Sequence, residues 1–139
     1  TGIMSFKHGF YQFTLIAALL VTTACSWVDG YSNTAHQQLL MLEQLHLQFI
    51  SDAATAPVDQ RLLRQEDRQI RQLFSLALSD GDALRQNNLR VLEKNYQRLY
   101  THVSRQDAAL TPFTAGALAQ QTEYLYQQAI SGEQLRSGR

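Results

Sequence analysis

A single cysteine, Cys25, stands in a chain of 139 residues. No internal disulfide framework, CxxC redox pair or cysteine-rich zinc site can form from it. Two prolines and seven glycines are too few for a Pro-rich linker or a collagen-like repeat. Charge is scarce and balanced: Lys and Arg number 12, Asp and Glu number 12, and together they make 17% of the residues, below the ~25% of an average soluble domain. That balance excludes an acidic or basic tail protein. With no reading motif beside it, it also argues against nucleic acid as a partner. No stretch alternates with period two for long enough to specify a strand. What the chain has instead is apolar content, 45% of residues, much of it crowded ahead of Cys25. The length sets a prior of one domain.

Residues 4–25 read MSFKHGFYQFTLIAALLVTTAC, with Thr1-Gly2-Ile3 ahead of them. Lys7 lies in a short front without acids, and an apolar run from Phe10 to Ala24 follows, interrupted by Gln12 and three Thr. The run is about 15 residues against the ~20 that span a bilayer. A charged front, a short apolar middle and small residues before a break are the marks of a secretory signal. The closing Val21-Thr22-Thr23-Ala24-Cys25 resembles the lipobox of bacterial lipoproteins. The resemblance implies that residues 4–24 are a signal peptide cut before Cys25, that Cys25 is diacylated, and that its new amino group is acylated with a further chain such as palmitate. At ~0.8 kcal/mol per buried CH₂, several chains anchor a small domain stably where one does not. Ser26, rather than Asp, follows the cysteine, and by the same resemblance this implies the periplasmic face of the outer membrane.

The polar stretch SWVDGYSN, residues 26–33, reaches no more than about 28 Å when extended, so the folded part stays near its membrane. Four periodic segments follow. The first covers about Thr34–Asp52 with Asn33 as cap. The second covers about Asp59–Leu78 and stops at Ser79-Asp80-Gly81. The third covers about Asp82–Ser104 with Asp82 as cap, and the fourth Pro112–Ser131, with Thr111 as cap, Pro112 at the first helical position and Gly132 as stop. The third is the most regular: Leu89, Leu92, Tyr96, Leu99 and Val103 repeat at the a/d spacing of a bundle seam. The second carries Leu63, Glu66, Ile70, Leu73 and Ala77 on that rhythm, and the fourth a weaker face of Ala117, Leu118, Tyr124, Leu125 and Ala129. Short loops between ~20-residue helices favour antiparallel neighbours. The expected layout is therefore all-α: a signal peptide over 4–24, lipidated Cys25 with its tether over 25–33, an antiparallel four-helix bundle over 34–132 and a tail over 133–139.

Three features of the helical part carry candidate functions. Arg61, Arg64, Arg68 and Arg71 fall in one arc of the second helix, opposite its seam. Arg90, Lys94, Arg98 and Arg105 do the same on the third. Such stripes suit an anionic lipid or an acidic protein surface, or simply keep a bundle face solvated. The first helix is apolar over most of its circumference, through Leu39, Leu40, Met41, Leu42, Leu45, Leu47, Phe49 and Ile50. A core needs only a stripe about 100° wide, so the excess points to a protein partner or to self-association, or to a helix that is simply more central in the bundle. Finally, Glu43, His46 and Glu66 sit at core positions. The Glu-x-x-His pair resembles the ligand motif of ferritin-like di-iron bundles, but only one such pair occurs, leaving these three as candidates for a single metal ion. The alternative is a hydrogen-bonded polar cluster.

Together these features predict a lipid-anchored, non-catalytic interaction or accessory protein of the cell envelope, without a cofactor. Its build is similar to pilotin-like assembly factors, which is analogy of shape and anchoring alone. The alternative from another class is a periplasmic bundle that carries a ligand or a metal.

Overall fold

A computed structural model describes residues 32–137. The expected signal segment, Cys25 and the expected tether as far as residue 31 lie outside the described residues. Among the described residues the chain is all-helical, with four helices and no strand: α1 (Asn33–Ala53), α2 (Gln60–Leu78), α3 (Ala83–Ser104) and α4 (Pro112–Ser137). No helix among them is long and apolar enough to cross a membrane.

Each helix begins where a short oxygen-bearing side chain meets the free N–H groups of its first turn. Asp59 accepts from Leu62 N–H at 3.1 Å, Asp82 from Arg85 N–H at 2.9 Å, and Thr111 from Thr114 N–H at 3.2 Å. At α1 the cap is Ser32, whose Oγ accepts from Ala35 N–H at 3.2 Å; the expected cap, Asn33, is already helical. Between α2 and α3 the chain turns through Gly81 at φ +112°, where a Cβ would stand 2.8 Å from Arg85 Cδ. Glycine is required there both for backbone conformation and for space. Leu110, buried in the loop before α4, donates its N–H to Ala53 O at 2.9 Å. This bond satisfies one of the carbonyls that the end of α1 leaves open.

α1 packs chiefly on α2 and α4, and α3 packs on α2 and α4, so the helices form a bundle around one shared core. Leu42 and Phe49 of α1, Ile70 and Phe74 of α2, Leu92 and Tyr96 of α3, and Tyr126 of α4 are at its centre. The expected seam of α3 is buried in full: Leu89, Leu92, Tyr96, Leu99 and Val103. In α2 the seam passes through Phe74, with Leu73 only half-buried. The largest corrections fall on α4. Ala117 and Tyr124 are exposed; Ala129 is buried as expected, and Thr122, Tyr126, Ile130 and Glu133 are buried with it. Polar side chains at inward positions hide that face from any reading of apolar period.

Gly132 does not end α4, which runs on to Ser137. A helical glycine is less favourable than alanine by only ~1 kcal/mol, and the turn beyond it is tied down twice. Glu133 pairs with the Arg85 guanidinium, one of the contacts being Arg85 Nε to Oε2 at 3.1 Å, and its Oε1 also lies 3.4 Å from Ser32 N. Arg136 holds both oxygens of Asp82, at 2.7 and 2.8 Å. One end of the bundle is thus closed by a set of charges that satisfy each other.

Candidate functional site

The outer surface carries two unlike regions. Arg61, Arg64, Arg68, Arg90, Lys94, Arg98 and Arg105 are exposed. Arg71 has a packing role: its Nε donates to both oxygens of Asp67 at 2.8 and 3.0 Å, and its guanidinium lies 5.3 Å from the centroid of the Tyr100 ring. Asp67 in turn accepts from the Tyr96 hydroxyl at 2.7 Å, so this contact ties α2 to α3. The stripe of α3 reaches α4 instead, where Lys94, Asn95 and Arg98 share a groove with Gln121 and Leu125.

The second region is apolar. Of the excess apolar residues on α1, Leu40 and Leu45 are half-buried against the core, and Met41 is 52% exposed. Met41 and Leu45 join Leu73 and Leu76 of α2, with Gln69 and Gln72 beside them, around a shallow groove of about 420 Å³. Leu76 is 60% exposed. The groove is short of polar atoms and lies on the side of α2 away from Arg71.

Inside the bundle the three candidate metal ligands go to different neighbours. Among the described residues no group of three His, Cys, Asp or Glu is arranged to hold a metal ion, so Glu43, His46 and Glu66 do not converge on one. Glu43 faces Glu123 and Gln127; burial first, and then Glu123, raises its pKa. Glu66 is buried beside Asp52, and burial with that neighbouring carboxylate pushes it up to about 8. Neither of its oxygens meets a donor. At neutral pH the proton therefore stays on Glu66, while the two oxygens of Asp52 each accept from Gln48 Nε2 at 3.1 Å.

His46 is fully buried between Tyr96 and Tyr126, with ring centroids 5.4 and 5.7 Å away, both edge-on. Burial lowers it to about 4, so the imidazole is neutral. Its Nδ1 lies 3.5 Å from the Tyr126 hydroxyl, which burial keeps protonated. Its Nε2 has no partner in the protein. His46 lines a cleft of about 210 Å³ between α3 and α4, together with Asn95, Arg98, His102, Gln121 and Thr122 and the apolar Leu99 and Leu118.

The stripes and the apolar helix were visible as periodic sequence. The clasp of Asp82, Arg85, Glu133 and Arg136 was not, nor were the roles of Asn95, Thr122 and Tyr126. Each depends on partners on another helix, and only the charge of the four clasp residues could have drawn notice. Comparison of the chain with protein-family models, with curated proteins and with solved structures finds no match.

Proposed function

We propose that the chain is a lipid-anchored, non-catalytic accessory protein of the bacterial envelope, held at the periplasmic face of the outer membrane through Cys25. It docks a larger protein through the groove of α1 and α2. The observation that carries this reading is the exposed apolar groove of Met41, Leu45, Leu73 and Leu76. Leu45 and Leu73 pack partly on the core, but Met41 and Leu76 are more than half exposed, and exposed apolar clusters rimmed by polar residues suit protein contacts. The lipobox resemblance of Val21–Cys25 supports the anchor, and the short tether keeps the docking groove within tens of ångströms of the bilayer. The exposed arginines of α2 and α3 remain available to an anionic lipid or an acidic flank of the partner.

In this reading the helices alternate in direction, up-down-up-down. Three contacts support that topology. Glu133, late in α4, meets Ser32 just ahead of α1 and Arg85 in the first turn of α3. Leu110, just before α4, meets Ala53 at the end of α1. Short loops between long helices favour it as well.

Two measurements test the proposal. Cys25→Ser should abolish incorporation of labelled fatty acid and release the chain from the membrane fraction; unchanged labelling removes the anchor. A photo-crosslinking residue at Gln72, beside the groove, should capture one larger envelope protein in cells, and Leu76→Asp should abolish that capture without lowering helicity. Capture of a second copy of the chain, or of nothing, overturns the docking role.

A further inference from the structure

The cleft between α3 and α4 has at its floor a polar atom that the protein does not use. His46 is fully buried, its ring is fixed by two tyrosines, and its Nε2 has no partner. A phenylalanine would fill the same apolar space without leaving a buried nitrogen unpaired. It would also forgo the contact of Nδ1 with the Tyr126 hydroxyl, but nothing in the protein uses Nε2. Facing it across the cleft are the exposed guanidinium of Arg98 at the rim and the amides of Asn95 and Gln121 on the two helices, with Leu99 and Leu118 as apolar walls. No Asp or Glu is among the lining residues. The rim is positive, the walls are hydrocarbon and the floor is a neutral ring nitrogen.

We propose that this cleft binds a small organic acid, its carboxylate paired with Arg98 at the rim and a neutral oxygen, hydroxyl or carbonyl, accepting a hydrogen bond from His46 Nε2 at the floor. Each part of the ligand follows from the part of the cleft it meets. A guanidinium presents paired donors that fit a carboxylate. A charge carried to the floor would lose its water with no opposite charge to meet, so the inner group is uncharged. The Tyr126 hydroxyl retains its proton and can donate to Nδ1, a tautomer that leaves the hydrogen on Nε2. The floor then asks for an acceptor. Leu99 and Leu118 cover the carbons between the two ends, which inorganic phosphate does not have. The volume, about 210 Å³, is below the ~300 Å³ at which pockets for drug-sized ligands begin, so the acid is short. The site belongs to the bundle alone and is independent of both the anchor and the groove on α1 and α2.

The test is a titration of the full chain in a mild non-ionic detergent, following the assigned His46 ring by ¹⁵N NMR. The probes are 4-hydroxybutyrate, butyrate and inorganic phosphate. We expect 4-hydroxybutyrate to shift the ring saturably. Butyrate, which lacks the inner oxygen, should bind roughly 2–10-fold more weakly, as one net hydrogen bond allows. Arg98→Gln, at an exposed position that leaves the core intact, should weaken 4-hydroxybutyrate about tenfold or more. The proposal is overturned by the absence of a saturable shift, by equal affinity for butyrate, or by unchanged affinity in Arg98→Gln. It is equally overturned if only phosphate binds. Failure of the crosslink at Gln72 would leave this result untouched, since that groove lies between the other pair of helices.

Discussion

The carboxylate–guanidinium pairs at one end of the bundle and the polar groups in its middle are treated in opposite ways. At the end, Arg85 and Glu133 are both largely buried and satisfy each other, while Asp82 and Arg136 close a second pair beside them. In the middle, His46, Glu66 and Glu43 keep nitrogen or oxygen atoms that no donor or acceptor of the protein reaches. Fully paired charges hold a helix end in register. Unpaired ones cost about 1–3 kcal/mol each and hold nothing. The contrast separates residues that make the fold from residues the fold merely carries, and it can be attacked from either side.

The largest effect should come from the paired end. Glu133→Ala leaves the Arg85 guanidinium buried without its carboxylate and should lower unfolding stability by about 3–5 kcal/mol, read from denaturant midpoints. A loss under 1 kcal/mol would mean that the end opens to water freely and that the contrast is false. Sequence could not have announced this effect. The heptad seam of α3 was plain because every inward position there is apolar. In α4 the inward positions include Thr122 and Glu133, and Gly132 looks like a stop until Arg85 and Asp82 are known to hold the turn after it. Likewise the core placement of His46 and Glu66 could be read from spacing, but Asp52 as the neighbour of Glu66 could not, because the two lie on different helices and neither has the other's period.

The second effect should come from the unpaired middle, with the opposite sign. Glu66→Leu replaces two unpartnered oxygens with hydrocarbon and should stabilise the bundle by about 1–3 kcal/mol above pH 8. The pH profile sharpens this. Glu66 rises from an ordinary 4.5 to about 8 on folding, so its share of stability is complete below pH 4.5 and lost as pH climbs through 8. His46 falls from 6.5 to about 4, so its share is complete above pH 6.5 and lost as pH drops through 4. Between 4.5 and 6.5 the two slopes oppose each other. The native chain should therefore show a nearly flat stability across that window and a decline on its alkaline side. In Glu66→Leu the plateau should become a rise with pH and the alkaline decline should shrink. A profile identical to the native one would show that Glu66 ionises freely.

The smallest effect belongs to the outer stripes. Reversing Arg64, Arg68 and Arg90 to Glu should change stability by roughly 0–1 kcal/mol, as exposed charges do, with circular dichroism unaltered. The same variant should lose salt-sensitive association with anionic vesicles or the docking partner if that surface is used. Unfolding of the variant would place those arginines with the clasp rather than with the solvated faces.

Glu133 meets Ser32 and Arg85 from the far end of the described chain, which has a consequence for the order of synthesis. A ribosome makes the first three helices, and with them the positive charge of Arg85, long before it reaches residue 133. Until then the nascent bundle has an open end, and the Arg85 guanidinium is without the carboxylate of Glu133. Released fragments shorter than 133 residues should never close that end, however long they are given.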